Sequence, residues 1–239
     1  MRERLPLLVG LILLALAILF GSFAIGRGIR DRNRNDTISV TGSAKQRIVS
    51  DYVVWDVSVS SQLPTPQAAA KQLAGWSDRV RSFLRSAGAL DSEVSVQPIS
   101  TQTVTTSESG GGKIIGYNLT RTFEVRSSRV AQITALVKQS SQLLNEGIPI
   151  AAQPPQYVYT KLPEIRPALL VSATRDALKR ANLLVGATGD RLGKLRQVNV
   201  GVFQVTSPNS TEVSDYGVYD TSTVDKDVTA VVNVTFGLS

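Results

Sequence analysis

The segment from Glu164 to Leu195 contains a long amphipathic helix followed by a glycine-rich exit. At 100° per residue its apolar side chains fall on one side and its charged side chains on the other, which predicts one buried and one solvated face. Because alanine recurs along the apolar side, a flat partner such as a β-sheet can approach the helix backbone closely. Pro163 and Pro167 suit the start of the helix, and Gly186 or Gly189 suits its end. The predicted buried residues are Leu170, Ala173, Thr174, Ala177, Leu178, Ala181, Leu184 and Val185.

Short β-rich runs occupy most of the chain from Asp36 onward. In the run Tyr52–Ser60, every second residue is apolar, which is typical of a strand with one face on a core. The order of elements is β-β-α-β-β-α-β-α-β-β and predicts an α+β fold, in which about three helices cover antiparallel sheets. Predicted strands cover 37–42, 52–60, 94–104, 113–125, 148–160, 195–206 and 227–236, and the two other predicted helices cover 67–87 and 128–146.

An uncharged run from Leu5 to Ile25 precedes this body. Its 21 residues are enough to cross the roughly 30 Å hydrocarbon core of a bilayer at about 1.5 Å per residue, so they predict an N-terminal transmembrane helix. Arg2 and Arg4, together with the small-x-small triplet Ser22–Ala24, also fit a cleaved signal peptide. Both alternatives place this segment in a membrane at some stage.

The arginines around the apolar run give conflicting signals about orientation. Four of them lie at 27–34 and two precede the run, so the positive-inside rule alone would keep the body in the cytoplasm. A short N-terminal tail with two arginines is nonetheless the usual arrangement for export, which we favour. We therefore expect residues 1–35 to be a signal anchor or signal peptide with a basic linker, and residues 36–239 to be one α+β domain.

The composition excludes several classes of chemistry. The 239 residues include no cysteine and no histidine, which removes disulfides, thiolate nucleophiles, imidazole bases and the usual zinc ligands. Of the formal charge of +7, the six arginines and two acids of residues 1–34 account for +4, so only +3 remains for the body. A nearly neutral body lacks the basic stripe that a nucleic acid requires. We therefore expect no nucleic-acid partner.

Six groups of residues contain residue types that occur in functional sites. Gly189–Lys194 follows a helix and does not match a phosphate-binding loop. The glycines at 110–112 precede a strand and predict a hairpin tip. The loop Ser207–Val224 is polar and aperiodic, which predicts a mobile loop or a contact with a partner. Four aspartates near the C-terminus are interpreted as solvated loop acids and not as a calcium site: Asp215, Asp220, Asp225 and Asp227. Four other carboxylates lack the spacing of an acid–base pair: Asp51, Asp56, Glu164 and Asp176. The triplets at Asn118, Asn209 and Asn233 fit the pattern of a glycosylation acceptor, which is common by chance.

Three stretches together resemble the SIMPL-domain family of bacterial periplasmic and outer-membrane immunogenic proteins. They are Ile38–Gly42 with the strand that follows Asp51, Ile115–Val125, and the helix Ala173–Gly189 running into Arg191–Leu195. The resemblance covers about residues 36 to 239. It implies an α+β domain outside the cytoplasmic membrane, assembly into ring- or channel-like homo-oligomers in some members, and a loose link to envelope and oxidative stress. It brings no established catalytic residues.

We therefore expect a non-enzymatic protein of the cell envelope that acts through self-assembly and partner contact. Its expected partners are the membrane, through Leu5 to Ile25, a homo-oligomer and an envelope protein. It would be anchored in the inner membrane with its body in the periplasm, or secreted to the periplasm. The alternative is a periplasmic sensor that binds a small ligand or peptide along the Tyr157 and Tyr159 strand or at a sheet edge. No catalytic, cofactor-binding or metal-binding residues are predicted. A serine or lysine hydrolase is the third hypothesis for the function.

Overall fold

The computed structural model describes residues 18, 21, 22, 36–106, 112–212 and 214–238. Most of the predicted membrane segment Leu5–Ile25, and most of the predicted hairpin tip, lie outside these residues. Within the part that is described, no helix has both the length and the apolar character needed to cross a bilayer. The described residues form two compact units: the first contains 36–45, 166–203 and 229–238, and the second contains 46–165 and 204–228. The extent of the domain, 36–239, stays a prediction.

The structure is α+β with antiparallel sheets, as the sequence predicts. In chain order the elements are β1 (Thr37–Val49), β2 (Tyr52–Leu63), α1 (Pro66–Ser86), a 3-10 turn (Asp91–Glu93), β3 (Val94–Val96), β4 (Ser100–Thr105), β5 (Ile114–Ser127), α2 (Val130–Gln139), α3 (Ser141–Asn145), β6 (Ile150–Ala152), β7 (Gln156–Val158), α4 (Leu162–Thr188), β8 (Leu192–Val200), β9 (Gln204–Thr206) and β10 (Asp225–Leu238). The predicted helix 128–146 is divided at Ser140, and the predicted strands 94–104, 148–160 and 195–206 are each divided in two.

In the first unit, α4 packs directly on β1, in a sheet of order β1-β10-β8. Gly42 lies so close to α4 that a Cβ placed on it would be 2.2 Å from the carbonyl oxygen of Ala173 and 2.4 Å from the amide nitrogen of Ala177. The predicted close approach of a sheet to an alanine-lined helix is therefore confirmed. From Leu169 onward the buried residues of α4 recur every four positions, and Leu162 is buried one spacing of seven earlier. The four-residue series is Leu169, Ala173, Ala177, Ala181 and Val185.

Of the eight residues predicted to be buried on α4, four are buried, Leu170 and Thr174 are half-buried, and two are exposed. Leu178 is 43% exposed and Leu184 is 54% exposed. The prediction used a broad arc of the helix, whereas a helix on a flat sheet makes contact along one narrow i, i+4 ridge. Side chains beside that ridge are left in solvent.

The second unit is built on a six-stranded antiparallel sheet. Its order is β3-β5-β2-β6, β4 also pairs with β5, and β7 also pairs with β2. Helices α1 and α2 contribute Leu73, Val80 and Ile133 to a core that also contains Trp55 and Phe123. The predicted core face of β2 is confirmed, because Val53, Trp55, Val57 and Val59 are at most 1% exposed.

Glu93 joins three segments of the second unit. Its carboxylate accepts hydrogen bonds from the Ser127 hydroxyl at 2.6 Å, the Leu90 amide at 2.9 Å and the Arg129 guanidinium, whose Nε lies at 3.0 Å. Arg129 also donates to the Gly88 carbonyl at 2.9 Å. The hydrogen bond from Arg129 lowers the pKa of Glu93 most, burial opposes it, and the bonds from Ser127 and Leu90 help to bring the pKa to about 2.

This lowered pKa predicts acid sensitivity. A carboxyl whose pKa falls from 4.5 to about 2 on folding stabilises the folded state above pH 4.5 and loses that stabilisation as the pH falls toward 2. The loss attributable to Glu93 is about 3 kcal/mol. We expect Glu93→Gln to have a lower free energy of unfolding at pH 6, but to lose less of it between pH 5 and pH 2, measured by urea titration.

Glu212→Gln is the matched control, because Glu212 is exposed. It should retain the acid sensitivity of the unmodified chain. An unchanged pH dependence in Glu93→Gln would contradict the assignment.

Candidate functional site

A buried lysine and a half-buried aspartate lie together around the start of β10. Lys226 has no exposed surface, and its ammonium donates to a carboxylate oxygen of Asp220 at 3.3 Å and to the Thr223 carbonyl at 2.5 Å. Asp220 also accepts hydrogen bonds from the Ser222 hydroxyl at 2.6 Å, the Ser222 amide at 2.9 Å and the Thr223 hydroxyl. Both charged groups of this cluster have hydrogen-bond partners, and these bonds connect the loop before β10 to the strand.

The surroundings of the cluster shift both pKa values downward. Burial lowers the pKa of Lys226, and the charge of Asp220 only partly opposes it. Burial by itself would raise the pKa of Asp220, but the hydrogen bonds from Ser222 and Thr223 and the charge of Lys226 hold it well below its usual range. Asp220 is therefore ionised at any physiological pH.

The four aspartates considered for calcium do not converge. Asp227 is 1% exposed and accepts from Arg47 Nε at 2.6 Å and from the Asn209 amide at 3.1 Å. Asp220 faces Lys226, as described above. The interpretation as solvated loop acids is wrong for Asp220 and Asp227, because cations and hydrogen bonds offset the cost of burying them. Within the described ranges, no group of three or more acidic side chains could hold a metal ion.

The loop Ser207–Val224 is fastened to the second unit. The Gln204 side-chain oxygen accepts from the Val218 amide at 2.8 Å, and the Tyr157 amide donates to the Thr221 carbonyl at 2.7 Å. Such bonds to ordered strands restrain a polar loop that has no periodicity of its own. These bonds hold the loop at Val218 and Thr221, and the mobility of the loop stays a prediction.

Of the two tyrosines proposed as a ligand surface, Tyr157 is buried and Tyr159 is half-buried. Tyr157 is 6% exposed within the core, with its hydroxyl 3.1 Å from the Thr134 hydroxyl. The amide of Tyr159 donates to the Tyr219 hydroxyl at 3.1 Å. The sensor hypothesis is wrong for Tyr157, because β7 pairs with β2 and turns Tyr157 into the core, and it stays a prediction for Tyr159.

The other candidate carboxylates with side-chain contacts have structural roles. Asp51 accepts from the amide and the hydroxyl of Thr160 at 2.7 and 2.8 Å. Asp176 accepts from the Ser43 amide at 2.9 Å and from Arg180 Nε at 2.8 Å. Neither arrangement pairs two carboxylates as an acid and a base.

The most unusual surface of the first unit is the strand β8. Directly paired residues of antiparallel strands place their side chains on the same face. Three residues of β8 are 41–56% exposed, whereas the β10 residues with which they pair are at most 6% exposed. The pairs are Leu195 with Phe236, Val198 with Val234, and Val200 with Val232. The core face of this sheet thus continues, uncovered, across β8.

The edge of β8 that faces away from β10 is open to another strand. The strand pairs with β10 on one side, and no strand of the described residues pairs with it on the other. An edge of this kind presents free backbone N–H and C=O groups to another strand. We call the apolar row Leu195, Val198 and Val200, together with this free edge, the β8 surface.

The sequence did not indicate the β8 surface because its apolar spacing is irregular. Two register shifts interrupt the pairing with β10, between Thr235 and Phe236 and between Phe236 and Leu238. They allow Leu195 and Val198, three positions apart, to lie on one face, whereas a regular strand repeats every two positions. Gly193 fits one irregularity, because a Cβ there would be 2.7 Å from the Gly237 carbonyl oxygen.

A family model matches residues 38–236 of the chain. The family is SIMPL, described as a protein of unknown function (DUF541). The chain belongs to the SIMPL family. The match runs from within β1 to within β10, so the matched range contains Gly42, the alanine-lined helix α4 and β8.

Other comparisons add little to this SIMPL chain. The search of curated proteins found no match. One solved structure, described as an amidohydrolase/peptidase from Burkholderia cenocepacia, is 20% identical, with 48% of this chain and 28% of that chain covered and a TM-score of 0.21. The SIMPL chain therefore spans just over a quarter of that protein. A similarity this weak carries no argument about fold or activity.

Proposed function

We propose that this SIMPL protein is a non-enzymatic component of the cell envelope that acts by self-assembly, with the β8 surface as the contact between copies. The observation that supports it is the exposure of Leu195, Val198 and Val200 on the core face of the sheet. Burying such side chains gains roughly 25 cal/mol per Å² of apolar surface. The placement in the envelope rests on the apolar run Leu5–Ile25.

A second copy of the chain would both cover the apolar row and pair with the free edge of the β8 surface. Two β8 strands related by a two-fold axis form an antiparallel pair, which satisfies the free edge on both sides. The same rotation brings the two apolar rows next to each other on one face of a continuous sheet. A different envelope protein could supply a strand, but only a copy of this chain carries the matching row by necessity.

The first test changes the charge of the apolar row. Val198→Asp and Val200→Asp place carboxylates at positions that are 41% and 56% exposed, so the monomer should stay folded. In a two-fold contact each change is present twice, and we expect the association constant to fall at least about tenfold, or 1.4 kcal/mol. Sedimentation velocity of the full chain in detergent measures it. A chain that is monomeric at every concentration before mutation would contradict self-assembly.

The absence of cysteine makes a second test direct. A single cysteine can form a disulfide only with another copy, and only where the two Cα atoms lie within about 7 Å. We expect oxidation to cross-link single-cysteine variants at one or two positions of β8 between Lys194 and Val200. Thr103→Cys on β4, an exposed strand of the other sheet, is the matched control and should stay uncross-linked. Cross-linking at Thr103→Cys alone would contradict the proposal.

The alternative function is a sensor that takes a peptide as an added strand at the same free edge. It is favoured if the purified chain is monomeric and an unrelated peptide protects the β8 amides from hydrogen exchange. Self-assembly predicts instead that protection of these amides rises with the concentration of the chain itself.

A further inference from the structure

The side of α4 that faces away from the sheet has an unusual composition for a solvated face. The buried ridge follows Leu169 at every fourth position, and a residue two positions further along lies about 200° around the helix, on the opposite side. The exposed series there also repeats every four positions and reads Val171, Arg175, Lys179 and Leu183. We call these four residues the outer row of α4. Its centre is cationic and both of its ends are aliphatic.

The outer row is open to solvent, and its charges are unpaired. Val171 is 50% exposed and Leu183 is 67% exposed, which leaves two large aliphatic side chains in water. Arg175 and Lys179 are also exposed, and neither has an ion-pair partner among the residues that the structure describes. Two like charges four positions apart repel each other on a helix. An anionic surface would offset that repulsion and cover both aliphatic ends.

The positive charge of the folded body is concentrated in the unit that contains the outer row. Residues 36–45, 166–203 and 229–239 contain eight lysines and arginines and three acids, a net charge of +5. Residues 46–165 and 204–228 contain twelve and fourteen, a net charge of −2, so that the two units together carry the +3 of the body. The first unit is therefore basic, although the body as a whole is nearly neutral.

The chain also keeps the first unit close to the predicted membrane segment. Strand β1 begins at Thr37, so the eleven residues 26–36 separate this unit from the apolar run Leu5–Ile25. A chain of that length reaches about 40 Å at full extension. A bilayer that holds the apolar run therefore lies near the first unit. This step rests on the envelope placement in the proposed function and not on self-assembly.

We infer that the outer row docks the first unit on a bilayer surface that contains anionic lipid. Arg175 and Lys179 contact the headgroup phosphates, and Val171 and Leu183 enter the boundary between headgroups and acyl chains. A nucleic acid would bind the two cations but gain little from the aliphatic ends. A zwitterionic bilayer would accept the aliphatic ends but offers no net negative charge to the cations. Of these three surfaces, the anionic bilayer is the one that complements the whole row.

Site-specific labelling tests this inference directly, because the chain has no cysteine of its own. Ser172→Cys lies on the exposed side of α4 beside the outer row and carries a nitrobenzoxadiazole fluorophore. The labelled full chain is held, one copy per disc, in nanodiscs of phosphatidylcholine alone or with about one third phosphatidylglycerol. We expect quenching by acrylamide to be at least about threefold weaker in the anionic discs. The same label at Thr103→Cys, on β4 of the second unit, should be quenched equally in both.

Two charge variants test whether the outer row makes the contact. Removing both cations with Arg175→Gln and Lys179→Gln should lower the ratio of docked to undocked first unit about thirtyfold, which corresponds to about 1 kcal/mol for each charge near an anionic surface. The matched control combines Lys71→Gln and Lys138→Gln, which remove two exposed lysines of the second unit and should leave the protection unchanged. Salt at about 1 M should abolish the protection, because it screens charges that are more than about 3 Å apart.

Four results would overturn docking on anionic lipid. If the label is equally protected in both kinds of disc, something other than anionic lipid covers the row, such as a second copy. If it is equally quenched in both, the first unit does not dock. If duplex DNA protects the label in zwitterionic discs as well as anionic lipid does, the row binds polyanions in general. A chain that does not co-purify with the discs refutes the membrane placement in the proposed function, and docking with it.

Discussion

Replacing Gly42 by alanine is expected to lower the free energy of unfolding by about 3 kcal/mol, the upper end of the usual cost of overpacking. The new methyl group would lie 2.2 Å from the Ala173 carbonyl oxygen and 2.4 Å from the Ala177 amide nitrogen, well inside van der Waals contact. Both are backbone atoms of α4, so no side chain can rotate to make room. The helix must move off β1 and lose the packing of its alanine ridge. Urea unfolding of the full chain, followed by circular dichroism, measures the loss.

Gly75→Ala is the matched control for this substitution. Gly75 lies inside α1, is exposed, and has no atom within 4 Å of the position that a Cβ would take. Alanine is the better helix former by about 1 kcal/mol, so this variant should be as stable as the unmodified chain or more so. If Gly42→Ala instead unfolds at the same urea concentration as the unmodified chain, α4 does not pack directly on Gly42.

The sequence predicted those parts of the fold that depend on local periodicity. Every second residue from Val53 to Val59 is apolar, and that alternation alone places them on a core. The alanines of α4 predicted a close-packed sheet, and Gly42 is the residue that meets them. The same logic failed at Leu178 and Leu184, because the width of a buried helix face depends on the shape of its partner, which a single helix pattern does not contain.

The sequence could not predict the β8 surface. The face of the sheet on which the Leu195 side chain lies depends on a register shift beside its partner Phe236, a residue more than forty positions away. Lys226 was missed for a related reason. A lysine in a polar loop region is most often solvated, and its burial is decided by Asp220 and Thr223 once the loop is folded.

Removing the carboxylate of Asp220 is expected to lower the free energy of unfolding by about 3–5 kcal/mol, the usual cost of leaving one member of a buried ion pair alone. In Asp220→Ala the Thr223 carbonyl is the one acceptor that the described residues still offer to the ammonium of Lys226, whose side chain has no exposed surface. Burial already lowers the pKa of Lys226, and without Asp220 it should fall further. Part of the lost stability should therefore return as the pH rises and the lysine becomes neutral.

Two further variants decide whether the buried charge is the cause. Asp225→Asn changes an exposed aspartate of the same segment and should shift the stability by no more than about 0.5 kcal/mol. In the double variant with Asp220→Ala and Lys226→Met, no charge is left to bury, so most of the lost stability should be recovered. If the double variant is as unstable as Asp220→Ala alone, the loss arises from the bonds of Asp220 to Ser222 and Thr223. The Asp220 carboxylate would then stabilise the loop through those hydrogen bonds alone, and Lys226 would contribute nothing to the free energy of unfolding.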